Sequence, residues 1–261
     1  MLYTFASTLF DVYYINRGKL IENNKLARSF RYYDLVMVIF VTVLLISNIA
    51  SSAKIIDWGM RIGGIPLAFD AGTLLFPISY IFGDVLTEVY GFRKSRRVIW
   101  VGFSALAFSS VILAIVRILP GEAAWQGYAG QAAYDAILGG MSTGGIVIAS
   151  LVAYLVGEFS NSVVLAKLKV VTEGRFLWIR TIGSTLVGEG IDTIIFISVA
   201  SLFNVFPWEI WTSLVVSNYI FKVSIEAIMT PVTYWIVNKL KHAENEDFYD
   251  RNTAFKFFGM N

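Results

Sequence analysis

An all-α integral membrane protein, with six transmembrane helices in a bundle and both termini cytoplasmic, is the fold class this sequence predicts. Three observations carry that prediction. Only 15% of the 261 residues are charged while 56% are hydrophobic, against roughly 25% charged in an ordinary soluble domain. Apolar stretches of about 20 residues, enough to cross a hydrocarbon core of roughly 30 Å, recur along the whole chain. Arginine and lysine gather in alternate loops, which orients such a bundle.

The elements follow in order. Residues 1–33 read as a cytoplasmic or interfacial segment, because Tyr3, Phe5, Phe10, Tyr13 and Tyr14 suit an amphipathic stretch at a membrane surface. The segment lacks the basic start and small-residue cleavage site of a signal peptide, so the first span is expected to act as an uncleaved insertion signal. Spans are predicted at 34–54, 71–91, 97–119, 143–166, 176–203 and 212–238, a transmembrane domain over 34–240. Arg17, Lys19, Lys25, Arg28 and Arg31 precede the first span, and Arg93, Lys94, Arg96 and Arg97 follow the second. Lys167, Lys169 and Arg175 follow the fourth, and Lys239, Lys241, Arg251 and Lys256 fall at or within a cytoplasmic tail, 241–261. The opposite loops offer Lys54, Arg61 and Arg117, so the basic side is the cytoplasmic one. Most of the seven tryptophans fall near span ends, where an indole belongs. The outer loop from Pro120 to Met141, between spans three and four, is expected to form a short amphipathic or re-entrant helix.

Several ionisable residues fall inside these spans. Each costs roughly 2.5–3.5 kcal/mol at a span centre on insertion scales, so by default it marks a site facing the bundle interior. Span one carries Asn48, span two Asp84 and Glu88, and span four Glu158 and Asn161 in VGEFSNS. Span five carries Glu189 and Asp192 in VGEGIDT, with Arg180 nearer its start, and span six Asn218, Lys222 and Glu226. VGEFSNS and VGEGIDT share one pattern: an acid, an amide or second acid three residues on, and a glycine that permits close approach. Structural readings stand beside the functional ones. Glu88, near its span end, is placed to pair with Arg93 or Arg97 at the interface. Lys222 and Glu226, at i and i+4, are placed to form an ion pair or a coupling element. Asn48 and Asn161 are also suited to bond neighbouring helices. Glu158, Glu189 and Asp192 resist such readings, because three acids near mid-span exceed the deep cations available.

A cavity lined by carboxylates, amides and aromatics such as Phe76 and Tyr80 suits a planar ligand rich in hydrogen-bond donors. Other chemistries are poorly served. The chain has no cysteine, its one histidine is His242 in the tail, and it carries no P-loop. No metal site, cofactor, nucleic-acid partner or enzymatic activity is therefore expected. An intramembrane carboxylate enzyme using Asp84 and Asp192 remains the weaker rival.

The segment FPISYIFGDVLTEVYG with its basic RKSRR turn, SNIASSAK in span one, QAAYDAIL in the outer loop, and LWIRTIGSTLVGEGIDTIIF in span five resemble the queuosine precursor transporter family. The resemblance runs from about residue 34 to residue 240. It implies import of 7-deazaguanine bases (the 7-cyano or 7-aminomethyl precursor, or queuine) across the cytoplasmic membrane. On that reading, Glu189 or Asp192 accepts the base's N1–H and exocyclic amine, and Asn161 or Asn48 reads its carbonyl. Glu158 or Asp84 meets an aminomethyl cation, and Gln131 and Tyr134 lie at the outer mouth. One departure stands out. Relatives resemble G-Q-x-x-D in span four, where this chain has Gly157, Glu158 and Asn161, and Gln is common at the position of Glu189. Two further readings keep the binding but change the energetics: the capture subunit of a multi-part ATP-driven importer, or a proton-coupled carrier. A homodimer is compatible with the chain, although no sequence feature establishes one.

Overall fold

The computed structural model of the chain describes residues 30–62, 65–142, 144–204 and 206–258. The interfacial stretch expected before residue 30, with Arg17, Lys19, Lys25 and Arg28, lies outside them.

Helix α1, Tyr33–Ala53, leads into an antiparallel hairpin of β1, Ile55–Ile62, and β2, Ile65–Asp70. A 3-10 turn, Ala71–Leu74, precedes α2, Phe76–Tyr90, and α3 follows at Phe92–Ile118. Two shorter helices, α4, Ala123–Tyr128, and α5, Gly130–Ser142, occupy the loop that was expected to hold one. The long helices α6, Gly144–Val171, α7, Leu177–Leu202, and α8, Trp211–Glu244, complete the chain. The hairpin is the one element that an all-helical expectation lacks.

Five helical segments among the described residues are long and apolar enough to cross a membrane: those over Tyr33–Ala53, Phe92–Ile118, Gly130–Val171, Leu177–Leu202 and Leu214–Glu244. The predicted second span is different. Its helix α2 has 15 residues, about 22 Å at 1.5 Å per residue, short of a hydrocarbon core of roughly 30 Å. Pro77 in its first turn explains the late start, since proline is tolerated there and not further in. Ala71 to Leu75, expected inside the span, form the 3-10 turn and its exit instead.

α2 is nevertheless the axis of the bundle. It packs against α1, α3, α6 and α8, and every residue from Ser79 to Phe92 except Phe82 is buried. The apolar core forms around it from Val36, Phe40 and Leu44 of α1, Ile81, Val85 and Val89 of α2, Ile99 of α3 and Val237 of α8. A helix enclosed on all sides turns any charge it carries inward, which is the setting of Asp84 and Glu88. Large apolar residues such as Phe108, Ile118, Ile228 and Trp235 lie exposed on the long helices, as a lipid-facing surface requires.

α2 turns directly into α3 at Gly91, whose φ of +81° suits glycine. The C-terminal segment closes over this turn. The Phe248 ring packs on Gly91 where a side chain would stand, and Asp250 accepts from the first amide of α3, Phe92 N–H, at 3.0 Å. The carbonyls of Lys256 and Phe257 accept from Arg96 at 2.8 Å and Trp100 at 3.2 Å. The segment predicted as a tail is thus a strap docked across the basic end of the bundle.

Candidate functional site

α6 and α7 form the most extensive interhelical contact, and the two matching motifs make it. A methyl group on Gly157 would stand 2.7 Å from the Asp192 Cβ, and one on Gly188 2.5 Å from the Asn161 Cβ. Each glycine therefore receives the polar residue of the opposite motif. The pairing is reciprocal, and small residues are what allow two backbones to approach this closely within a membrane. Gly83 of α2 lies against the same seam, with the Glu158 carboxylate 3.3 Å from where a Cβ would be.

Beside this seam a cavity of about 340 Å³ opens between α1, α2, α3, α5, α6, α7 and α8, within the 300–1,000 Å³ typical of small-molecule sites. Seven residues singled out from sequence line it: Asn48, Tyr80, Glu158, Glu189, Asp192, Asn218 and Lys222. Lys222 is the hub, with its ammonium 2.5 Å from Asp192 Oδ2 and 2.9 Å from Glu189 Oε2. Tyr80 donates its hydroxyl to Glu189 at 3.4 Å. Three carboxylates and one ammonium leave the wall with an excess of acceptors, suited to a donor-rich or cationic ligand. Phe196 and Phe206 supply aromatic faces, their centroids 6.2 Å apart, and Ser47, Ser51, Ser79, Ser110, Ser150 and Thr193 add hydroxyls. Sequence reading passed over the serines because serine is unremarkable in a span, and only their convergence from four helices gives them away.

The other predicted residues lie elsewhere. Asp84 and Asn161 sit outside the cavity wall, joined by an Asn161 Nδ2 donation to Asp84 Oδ1 at 3.3 Å. Arg180 is enclosed at the basic end, where it donates Nη2 to Glu88 Oε1 at 2.8 Å and Nε to Glu88 Oε2 at 3.1 Å. Lys241 reaches the same carboxylate at 2.6 Å. The pairing weighed for Glu88 with Arg93 or Arg97 is therefore corrected. Those arginines are exposed, and Glu88 draws its cations from α6, α7 and α8. The Lys222–Glu226 pairing is corrected likewise, because Lys222 turns to α7 while both Glu226 carboxylate oxygens lack a hydrogen-bond partner. Gln131 and Tyr134 are not on the cavity wall. Gln131 donates to Asp135 at 3.0 Å, Tyr134 to the Leu113 carbonyl at 2.7 Å, and Arg117 meets Asp135 at 2.7 Å, so together they pin α5 to α3. Phe76 begins α2, but its side chain lies outside the described residues. Among the described residues, no group of three or more His, Cys, Asp and Glu is arranged to hold a metal ion.

Comparison with known proteins bears on this site. Residues 70–236 match the family described as "Putative vitamin uptake transporter". A probable queuosine precursor transporter of Bacillus subtilis is 29% identical over 164 residues, covering 62% of this chain and 69% of the relative. A protein of the same name from Haemophilus influenzae is 30% identical over 169 residues, 64% of this chain and 67% of the relative. The queuosine precursor transporter of Escherichia coli is 27% identical over 169 residues, 64% and 71%. No solved structure matches the chain.

Proposed function

This chain belongs to the vitamin uptake transporter family, a multi-pass membrane transporter, and from that premise we propose that it imports queuosine precursors across the cytoplasmic membrane. The ligand is a 7-deazaguanine base: the 7-cyano or 7-aminomethyl precursor, or queuine. Six segments cross the membrane, with α2 as a short second span enclosed by the others, and the basic end faces the cytoplasm. On this reading residues 1–33 and 241–261 are cytoplasmic and 34–240 form the transport domain. α4 and α5 cover the outer mouth.

One observation carries the ligand assignment: Glu189 and Asp192 lie side by side on the cavity wall, bridged by Lys222. Paired carboxylate oxygens match the parallel N–H donors along the edge of a guanine-like base, and the charge-assisted bonds so formed are the strong ones. When the base arrives, its N1–H and amine bond the Glu189 and Asp192 oxygens beside those that Lys222 bridges. Phe196 and Tyr80 offer faces for the ring. Glu158, on the same wall, meets an aminomethyl cation where the ligand carries one.

The test is uptake by cells unable to make the base, scored as queuosine appearing in their tRNA, with each base supplied at low concentration. Gene-dependent modification with one base is expected. Replacing Glu189 or Asp192 with Ala is expected to abolish it while the protein still reaches the membrane. Full uptake by both variants would overturn the site. Absence of uptake with every base, from protein shown to be inserted, would favour the capture subunit of a larger ATP-driven importer.

A further inference from the structure

A second set of polar atoms lies in the bundle interior and is not part of the base-binding wall. Glu226 of α8 is 0% exposed, and neither of its carboxylate oxygens has a hydrogen-bond partner. Asp84 of α2 is 1% exposed; its Oδ1 accepts from Asn161, while its Oδ2 and the Asn161 Oδ1 have no partner. Four buried oxygens on α2 and on the two helices packed against it, α6 and α8, thus have one donor among them. The two acids interact electrostatically, and the charged groups facing them are acids too: Glu88 on α2, Glu158 on α6 and Glu189 on α7.

Among the described residues, no cation in the interior is committed to this pair. Lys222, one turn from Glu226 on α8, is held by Glu189 and Asp192. Arg180, Lys169 and Lys241 are gathered on Glu88 and Asp247. Two ionised carboxylates left this way would cost several kcal/mol each, so the site calls for a small cation. A sodium ion is poorly served, because sites of that kind draw carbonyls from unwound helices. Here α2 runs unbroken past Asp84, Thr230 occupies the Glu226 carbonyl at 2.9 Å, and Pro231 within α8 frees a single carbonyl there, that of Ala227. A proton needs only a carboxylate oxygen.

We propose that the Asp84–Glu226 pair is a proton-binding site and that its proton crosses the membrane together with the base. The link is Lys222. While Glu226 is protonated and neutral, Lys222 stays with Glu189 and Asp192 and holds the cavity in its receiving arrangement. When Glu226 releases its proton to the cytoplasm, the carboxylate draws Lys222 one turn along α8, the Glu189–Asp192 arrangement loses its bridge, and the base is let go. One proton enters per base: it leaves the outer solution for a carboxylate oxygen and leaves that oxygen for the cytoplasm. The transport half of this inference rests on the proposed function; the proton site does not.

Two measurements test it. The purified protein in lipid is titrated by infrared spectroscopy, reading the carbonyl stretch of protonated carboxyls. The wild type is expected to show a protonated band near neutral pH that Glu226→Gln removes; a band the substitution leaves unchanged would overturn the proton site. In liposomes given the 7-aminomethyl and 7-cyano bases in turn, acidifying the outside by one unit is expected to drive concentration of the base up to about tenfold, the limit for one proton per base. A protonophore removes that accumulation. Glu226→Gln, which imitates the neutral acid, is expected to keep binding of the base and lose the pH-driven accumulation. Accumulation by wild type that ignores the pH gradient, or that Glu226→Gln retains, would overturn the coupling. If the infrared band behaves as expected and neither base moves, the choice of base is at fault and the proton site stands.

Discussion

Gly188 of α7 receives Asn161 of α6 so closely that an added methyl would stand 2.5 Å from the Asn161 Cβ and 3.1 Å from its backbone nitrogen. Neither neighbour is the free end of a flexible chain, so neither can give way cheaply. Gly188→Ala is expected to force α6 and α7 apart, at a cost typical of overpacking, about 1–3 kcal/mol. It would displace the Glu189 and Asp192 side chains from the cavity wall. Uptake should fall to background while insertion persists, checked by tRNA modification together with the amount of protein in the membrane. Gly139→Ala, where an added methyl meets nothing within 4 Å, should leave uptake unchanged.

Lys222 neutralises two acids at once, at 2.9 Å from Glu189 and 2.5 Å from Asp192. Lys222→Met would leave both carboxylates in a largely enclosed wall without their cation. Breaking a buried pair in this way typically costs 3–5 kcal/mol. The thermal unfolding temperature of detergent-purified protein should fall, and base uptake should be lost. Lys222→Arg keeps the charge but forks it, and should recover part of the stability and less of the uptake.

How much of this arrangement was legible beforehand differs from residue to residue. The matched pattern of VGEFSNS and VGEGIDT could be read directly, including the role of glycine in close approach, because both signals are local. What approaches was not readable, since only folding shows that each motif receives the other. The same distance along the chain hid the partner of Glu88. Local reasoning offers Arg93 and Arg97, five and nine residues away, while the cations that reach it are Lys169, Arg180 and Lys241. Both ends of α1 and α7 fall within a residue of the predicted spans, whereas α3, α6 and α8 continue through the basic residues taken as their limits, and α2 starts late because apolar Ala71 to Leu75 extend the hydrophobic stretch beyond the helix. The docked strap was missed for another reason. A segment with several charges and aromatics past the last span reads as solvated until the Gly91 turn and the unfilled first amide of α3 are seen beneath it.

The strap carries its own pH dependence. Asp247 is partly buried, which would push its carboxyl up, but hydrogen bonds from Lys169 and Lys241 outweigh burial and hold it below the usual carboxylate range. Because the docked value is the lower one, the stabilisation is complete above the free value of about 3.9 and is lost as pH falls through the docked value. The strap should therefore stay docked from neutral pH down to about pH 4 and release below it. A fluorophore on a cysteine introduced at Asn252 would report the release as a gain in mobility. Asp247→Asn should loosen docking throughout this range.

Glu88 anchors the same end of the bundle from inside. Its carboxylate takes two hydrogen bonds from Arg180 and one from Lys241, with Lys169 at 3.5 Å, while the Lys169 ammonium also donates to the Glu88 backbone carbonyl at 2.5 Å. The Arg180 guanidinium further reaches the Arg175 carbonyl, tying the start of α7 to the loop before it. Among the described residues, Glu88→Gln removes the only acid within this enclosed group of three cations other than the partly exposed Asp247. Like charges then face one another with nothing between them. The expected loss is about 3–5 kcal/mol, seen as a lower unfolding temperature and less protein in the membrane. Arg180→Lys should restore little when made alone, because a lysine cannot span both carboxylate oxygens as the guanidinium does. A double-mutant cycle of Glu88→Gln with Arg180→Met separates the pair from its surroundings. If the two are coupled as their geometry requires, the double variant should be more stable than the sum of the single losses predicts.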